Sequence, residues 1–295
     1  MAVVDVVIIG AGPAGAAAAV QLRRSGVDFR IFEKKRTGGL LWHANLVENY
    51  PGFPRGIRGP DLVRLIEKQL QSLAIKVEKN AVLKVCYQKG FFLTKTSRGN
   101  VRSRVLVVAT GTVPCRIPER LVPSEAAGRV HYEVSRLARR KNMKIAILGG
   151  GDAAFDYALN LAHRNEVVLI QRSRTPKCLP LLRLRAENHP RISCLSSMRL
   201  EAVRRAKKGL SLDITRDGRK IAIEVSNLLV AIGRKPSLDI FDQSLKTQSA
   251  ALRRAGRLYL IGDVKNGFFR QAAIAVGDGI KAAMEIVARK DGLKS

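Results

Sequence analysis

Val6-Val7-Ile8-Ile9-Gly10-Ala11-Gly12-Pro13-Ala14-Gly15, near the start of the chain, is matched further on by Ile145-Ala146-Ile147-Leu148-Gly149-Gly150-Gly151-Asp152-Ala153-Ala154. In each, a short aliphatic run rich in β-branched residues breaks at a glycine cluster and passes into an alanine-rich segment. That order predicts a strand, a tight turn and a helix, the opening of a dinucleotide-binding unit. Each copy also has a closing segment of one type, Val105–Pro114 for the first and Leu228–Pro236 for the second. Two such units on 295 residues predict an α/β fold of two Rossmann-like domains, two bound nucleotides, and a transfer between them.

The elements between the signatures extend this reading. The first unit is expected to run from strand Val3–Ile9 through helix Pro13–Arg24 to a strand over Asp28–Glu33. A loop rich in glycine and proline, Thr37–Pro60, precedes a helix over Pro60–Leu73, where Leu62, Leu65, Ile66, Leu70 and Leu73 keep a helical period. Strands are expected near Ala81–Tyr87, Phe91–Thr96 and Arg104–Ala109. The second unit repeats the order, with strands at Glu166–Ile170, Leu212–Thr215, Ile221–Val225 and Leu228–Ala231. After Pro236 only strand Leu258–Ile261 and helix Gln271–Ala288 are read. One strand and one helix do not cover a core, so the tail is expected to return to the first unit. The expected domains are 1–115 with 238–295, and an inserted 116–237, joined by two close crossings that form a natural hinge.

The two copies differ one strand later. Glu33 lies 23 residues after Gly10, and Arg172 lies 23 residues after Gly149. A carboxylate there accepts hydrogen bonds from a ribose 2′-hydroxyl, whereas an arginine pairs with a 2′-phosphate. The first site is therefore read as FAD and the second as NADPH, with Arg174 and Lys177 adding charge and NAD as the alternative. The helix opened by Arg270-Gln271-Ala272 is expected to direct its positive end at a flavin ring, and Asp263 is read either as a partner for a ribityl hydroxyl or as a turn residue.

Composition sets limits. Hydrophobic residues make up 46% and aromatics only 5%, which suits aliphatic α/β cores. The net charge of +29 comes from 53 Lys and Arg against 24 Asp and Glu. Residues 115–236 carry +14 and the remainder +15, so no one segment is a basic arm, which argues against nucleic acid. No apolar run reaches the roughly 18 residues of a membrane span, and no signal peptide precedes the first strand. A cytoplasmic protein is expected. Cys86, Cys115, Cys178 and Cys194 never form C-x-x-C, so neither a zinc pair nor a redox dithiol is encoded locally, and no metal site is read.

Gly38-Gly39-Leu40-Leu41-Trp42-His43-Ala44-Asn45-Leu46-Val47-Glu48-Asn49-Tyr50-Pro51-Gly52-Phe53-Pro54, with Gly262-Asp263-Val264 and Arg270-Gln271-Ala272, resembles the flavin segments of the low-molecular-weight thioredoxin reductases. The likeness covers nearly the whole chain. It implies FAD in a discontinuous domain, NADPH in the inserted one, and a homodimer. It implies flavin contacts from Gly10, Gly12, Pro13, Ala14, Gly15, Glu33, Lys34, Gly39, Leu40, Leu41, Asn45, Asn49, Val82, Ala109, Thr110, Gly111, Gly262, Asp263, Arg270, Gln271 and Ala272. For the nicotinamide nucleotide it implies Gly149, Gly150, Gly151, Asp152, Ala153, Ala154, Arg172, Ser173, Arg174, Lys177, Ile232 and Gly233.

Three departures stand out. Leu40 replaces the family's glutamine. Gln171-Arg172-Ser173-Arg174-Thr175-Pro176-Lys177 departs from H-R-R-x-x-x-R. The family's C-x-x-C before the second glycine turn is missing, and that stretch reads Val130-His131-Tyr132-Glu133-Val134-Ser135-Arg136. With Gly149–Leu159, this stretch is similar to the thioredoxin-reductase-like ferredoxin–NADP+ reductases, which work through flavin alone. Those proteins cover the flavin with an aromatic residue of a C-terminal extension. This chain ends at Ser295, so Trp42, His43 or Tyr50 is expected either to shield the ring or to pack within the loop.

The resulting expectation is an FAD-dependent NAD(P)H oxidoreductase without an internal dithiol, exchanging electrons with an acidic carrier such as ferredoxin. No side chain is nominated as acid, base or nucleophile, because the flavin carries the chemistry. Three alternatives stay open: an oxidase or flavin reductase, a disulfide reductase using Cys115 or a partner's thiols, and a nucleotide-binding redox sensor without turnover.

Overall fold

The computed structural model describes residues 3–289, so residues 1, 2 and 290–295 of the expected first domain lie outside the described residues. The chain divides into two compact units. One comprises residues up to Trp42, Leu46–Val113 and the chain from Pro236; the other comprises His43–Asn45 and Pro114–Lys235. The loop residues His43–Asn45, expected with the first domain, thus group with the second.

In the first unit, β1 (Val3–Ile9) leads into α1 (Pro13–Arg24) and β2 (Phe29–Glu33). Then come α2 (Gly59–Ser72), β3 (Val77–Lys79), β4 (Val82–Gln88), β5 (Phe91–Thr96) and β6 (Gly99–Val108). The chain leaves along β7 (Thr112–Pro114). The second unit contains α3 (Ser124–Ala127), β8 (Val130–His131), β9 (Lys144–Leu148), α4 (Asp152–Ala162) and β10 (Glu166–Ile170). It continues through α5 (Pro180–Glu187), β11 (Ile192–Leu195), β12 (Arg199–Ala206), β13 (Gly209–Arg216), β14 (Arg219–Val225) and β15 (Asn227–Val230). After β16 (Arg234–Pro236), the first unit resumes with α6 (Gln243–Arg254), β17 (Leu258–Leu260) and α7 (Ala272–Ala288).

The first sheet has the order β3-β2-β1-β6-β5-β4, with β17 paired to β6. β1 runs parallel to β2 and β6, with Val6 opposite Phe29 and Val105. A central parallel strand is buried on both faces, which explains the unbroken aliphatic run. Val6 and Ile8 face α1 and α7, while Val7 and Ile9 meet Phe32, Phe92 and Leu106 on the other side. The second unit has a sheet of order β11-β10-β9-β15-β8 and a β12-β13-β14 meander. Leu210, Leu212 and Ile214 of β13 close over Ala146, Val168 and Leu228.

Two expectations need correction. The tail after Pro236 holds α6 besides the strand and the final helix. It escaped the periodicity because only Leu245 and Leu252 are buried along its twelve residues. In the second unit, β12 pairs with the first of the strands expected over Leu212–Thr215 and Ile221–Val225, and a register irregularity between Leu200 and Ala202 breaks its alternation.

Candidate functional site

Each glycine turn is shaped by close backbone approaches. At Gly10, φ is +101°, and a Cβ would lie 2.3 Å from the Ala109 carbonyl oxygen, so β1 and β6 leave no room for a side chain. A Cβ at Gly15 would fall 1.9 Å from the Gly10 carbonyl oxygen, which seats α1 directly on the turn. Gly12 differs: no atom lies within 4 Å of its Cβ position, and its φ of −70° is ordinary. Gly12 caps α1 with no side-chain hydrogen bond and no acidic residue in the first turn. The arrangement is an open cradle of helix N–H groups for an anion. A pyrophosphate fits it.

Glu33 ends β2 beside this cradle. Its carboxylate accepts from the backbone N–H of Ala11 and of Lys35, each at 2.9 Å, so it fixes the turn. Lys34 is exposed next to it. Gly39, Leu40 and Leu41 lie in a short 3-10 turn that closes on the same place; a Cβ on Gly39 would come within 3.4 Å of Gly12 Cα. Ala109, Thr110 and Gly111 follow β6, where Thr110 Oγ1 donates to the Ser237 carbonyl at 2.6 Å. Val82 opens β4.

The C-terminal segment reaches the same cradle. Gly262 is buried with φ +70°, and a Cβ there would sit 2.8 Å from the Ala14 side chain. A Cβ on Gly279 of α7 would lie 2.2 Å from the Ala14 carbonyl oxygen, so α1 and α7 touch backbone to backbone. Arg270 and Gln271 precede α7, which begins at Ala272 with no acidic residue in its first turn. Gln271 Oε1 accepts from Asn49 Nδ2 at 2.8 Å, which ties the expected flavin loop to the start of α7. The structure thus brings the first-site residues together in one unit, apart from Asn45, whose N–H donates to Asp156 Oδ2 at 3.0 Å in the second. Trp42 packs within its loop: its indole N–H donates to the Thr37 carbonyl at 2.6 Å, and the Arg36 guanidinium stacks 4.0 Å from the ring centroid.

The second turn repeats the design. A Cβ on Gly149 would meet the Ala231 carbonyl oxygen at 2.3 Å. Gly151 caps α4 without a side-chain bond, and its Cβ position has only the Lys177 carbonyl, at 4.0 Å, nearby. Asp152 Oδ1 accepts from Leu179 N–H at 2.8 Å, holding the loop that carries Lys177, while Ala153 and Ala154 continue the helix. Arg172, Ser173, Arg174 and Lys177 are all exposed in that loop. Ile232 and Gly233 follow β15 and are exposed too.

Residues 4–279 match the profile of the pyridine nucleotide-disulphide oxidoreductase family. The chain belongs to this family. Among curated relatives, the thioredoxin reductase of Streptomyces clavuligerus is 30% identical over 95% of this chain and 92% of its own length. That of Rickettsia prowazekii is 28% identical over 95% and 96%. A crystal structure of Lactococcus lactis thioredoxin reductase superposes with a TM-score of 0.85 at 24% identity, covering 97% of this chain and 99% of that one. The bacillithiol disulfide reductase of Bacillus cereus gives a TM-score of 0.77 at 18% identity, covering 98% and 100%. As a pyridine nucleotide-disulphide oxidoreductase of thioredoxin reductase-like fold, the protein is an FAD-dependent pyridine nucleotide oxidoreductase, and its cofactors are FAD and NADP.

The stretch before β9 carries a polar cluster. Val134–Arg136 form a 3-10 turn that holds no thiol. Glu133 just before it receives a hydrogen bond from Arg234 Nη2 at 3.1 Å, and His43 Nε2 lies 3.9 Å from its other oxygen. Burial pushes the neighbouring Tyr157 hydroxyl from its ordinary value of 10 up to about 12, with Glu133 and Asp156 adding to the rise and Arg234 opposing it. The sequence reading missed this cluster, because nothing in local spacing links positions 43, 133, 157 and 234. All four thiols are free; burial raises the pKa of Cys178 and Cys194, and Cys115 donates its backbone N–H to the Gly233 carbonyl at 2.9 Å. Among the described residues, no helix is long and apolar enough to cross a membrane.

Proposed function

We propose that electrons pass from NADPH through the flavin of this oxidoreductase directly to an external acceptor, with no redox dithiol of the chain's own in the path. The observation that carries this reading is the Val130–Arg136 stretch, where a carboxylate tied to Arg234 stands instead of a C-x-x-C pair. A carboxylate–guanidinium pair has no redox couple to relay electrons.

FAD, when bound, supplies a ring that accepts a hydride and gives up electrons singly or in pairs. The chain's own residues bind and orient. We assign Gly10, Gly12, Pro13, Ala14 and Gly15 to the FAD pyrophosphate, and Glu33 and Lys34 to its ribose end. Gly262, Asp263, Arg270, Gln271 and Ala272 take the ring end, where the start of α7 stabilises negative charge. Gly39, Leu40, Leu41, Asn45, Asn49, Val82, Ala109, Thr110 and Gly111 complete the flavin set. Gly149–Ala154 take the NADPH pyrophosphate, Arg172, Ser173, Arg174 and Lys177 its 2′-phosphate, and Ile232 and Gly233 its flank.

The net charge of +29 suits an acidic one-electron carrier of the ferredoxin kind, two of which accept the electrons of one NADPH. The acting form is a homodimer in the cytoplasm. A second reading is favoured by the relatives, which are thioredoxin reductases: the acceptor is a disulfide, reached through Cys115 or a partner's thiols.

Anaerobic mixing decides between the two. NADPH is expected to bleach the flavin band, and an acidic one-electron carrier to restore it at the same rate in wild type and Cys115→Ser. Failure of the carrier to restore it, or restoration only by a thioredoxin-type disulfide and only with Cys115 intact, overturns the direct route.

A further inference from the structure

The turn that carries Asp263 is held by a carboxylate that neither motif includes. Asp278 lies in the second turn of α7. Its Oδ2 accepts from the Gly262 backbone N–H at 2.9 Å and from Asn266 Nδ2 at 2.6 Å. Its Oδ1 faces the Lys265 ammonium at 2.9 Å. The Gly262–Asn266 segment is thus grasped at its first residue and its last two. Lys265 N–H closes it internally onto the Gly262 carbonyl at 3.0 Å. Gly262 is buried, so without this carboxylate its N–H would lose its acceptor inside the protein. Burial raises the Asp278 pKa, but the hydrogen bonds from Lys265, Asn266 and Gly262 outweigh it and hold the carboxyl below the usual value. The group is therefore a charged acceptor at neutral pH, the stronger kind.

We propose that Asp278 is a positioning residue for the flavin: by fixing the Gly262–Asn266 turn against α7, it sets where Asp263 and the N-terminus of α7 meet the cofactor. This rests on the assignment of Gly262, Asp263 and Arg270–Ala272 to the FAD ring end. Asp278 reaches the cofactor only through the turn, so its effect separates from that of the glycine cradle.

The test uses the full-length protein as wild type, Asp278→Leu, Asp278→Asn and Lys265→Met. FAD dissociation is read from fluorescence of released flavin on dilution, the ring environment from the visible circular dichroism of bound flavin, and the second site from NADP+ titration calorimetry. Asp278→Leu removes all three contacts of the carboxylate, and the two at Oδ2, each worth about a factor of ten, set the expectation that FAD affinity falls on the order of 10- to 100-fold. Asp278→Asn keeps one acceptor and is expected to lose about tenfold, with an altered dichroism band. Lys265→Met leaves both Oδ2 bonds and is expected to stay within about threefold. NADP+ affinity stays at the wild-type value throughout. The proposal fails if Asp278→Asn binds FAD within twofold of wild type with an unchanged band, or if FAD and NADP+ affinities fall together. Should Asp278→Leu not fold, the affinity and dichroism of Asp278→Asn suffice to uphold or overturn the role. A wild-type protein that takes up no FAD removes the ring-end assignment itself, and this proposal with it; a yellow wild type with equally yellow variants refutes only the role of Asp278.

Discussion

Gly10 and Gly12 stand two residues apart in one turn, and substituting each by alanine is expected to break different things. At Gly10 the new methyl would stand 2.3 Å from a carbonyl oxygen while the backbone holds φ at +101°. The backbone conformation costs about 1–2 kcal/mol for a non-glycine residue, and the overlap a further ~1–3 kcal/mol. A loss of about 2–5 kcal/mol lowers the melting temperature of a unit this size by roughly 5–20 °C. At Gly12 the methyl enters empty space with φ at −70°, so folding is expected to change by less than about 1 kcal/mol. That empty space is the one we assign to the FAD pyrophosphate, so FAD affinity is expected to fall about 10- to 100-fold. Thermal melts of the flavin-free proteins measure the first effect, and FAD titration followed by fluorescence quenching measures the second. If Gly12→Ala binds FAD within twofold of wild type, or destabilises the flavin-free protein more than Gly10→Ala, the division of labour argued for this turn is wrong.

Other outcomes follow from the same geometry. Arg172→Ala and Arg174→Ala are each expected to raise KM for NADPH about tenfold and leave KM for NADH unchanged; an equal rise for both nucleotides would mean that neither guanidinium reads the 2′-phosphate. Tyr157 holds its proton more tightly folded, at about 12, than unfolded, at 10. Its contribution is fully present below pH 10 and is lost as pH rises toward 12. Urea melts across that window should show a steeper decline for wild type than for Tyr157→Phe, and parallel declines would remove Tyr157 as the cause. Gly149→Ala should destabilise the second unit as Gly10→Ala does the first, checked by whether NADP+ binding and the melting transition fail together.

The parts of the fold that were legible in the sequence are those where one strand is buried on both faces. Val6–Ile9 and Ile145–Leu148 have no polar residue to blur them, and the glycines that follow are demanded by carbonyls of Ala109 and Ala231. Half-buried elements left weaker traces. α6 exposes most of its surface, although Asp242, whose side chain accepts from Leu245 N–H at 2.8 Å, was a readable start signal. β12 carries Arg199, Glu201, Arg204 and Arg205 outward, with a bulge that spoils the alternation. The site divides likewise. The spacing singled out Glu33 as a ribose partner but not its grip on Ala11 and Lys35, because a ribose partner and a turn clamp leave the same mark in a sequence. Asp278 and the Glu133–Arg234 pair join positions 12 to 101 residues apart, and no local pattern encodes such distances.

The contact of Gly279 with Ala14 has a mechanical corollary. Where two helices meet through their main chains, no rotamer can absorb a displacement, and the pair behaves as one rigid lever. On the proposed FAD assignment, the phosphate end and the ring end of the site are therefore indexed to each other, like two jaws cut from a single piece. A bulkier residue at Gly279, pressed against the Ala14 carbonyl, would open both jaws at once, and the expected readout is lost flavin.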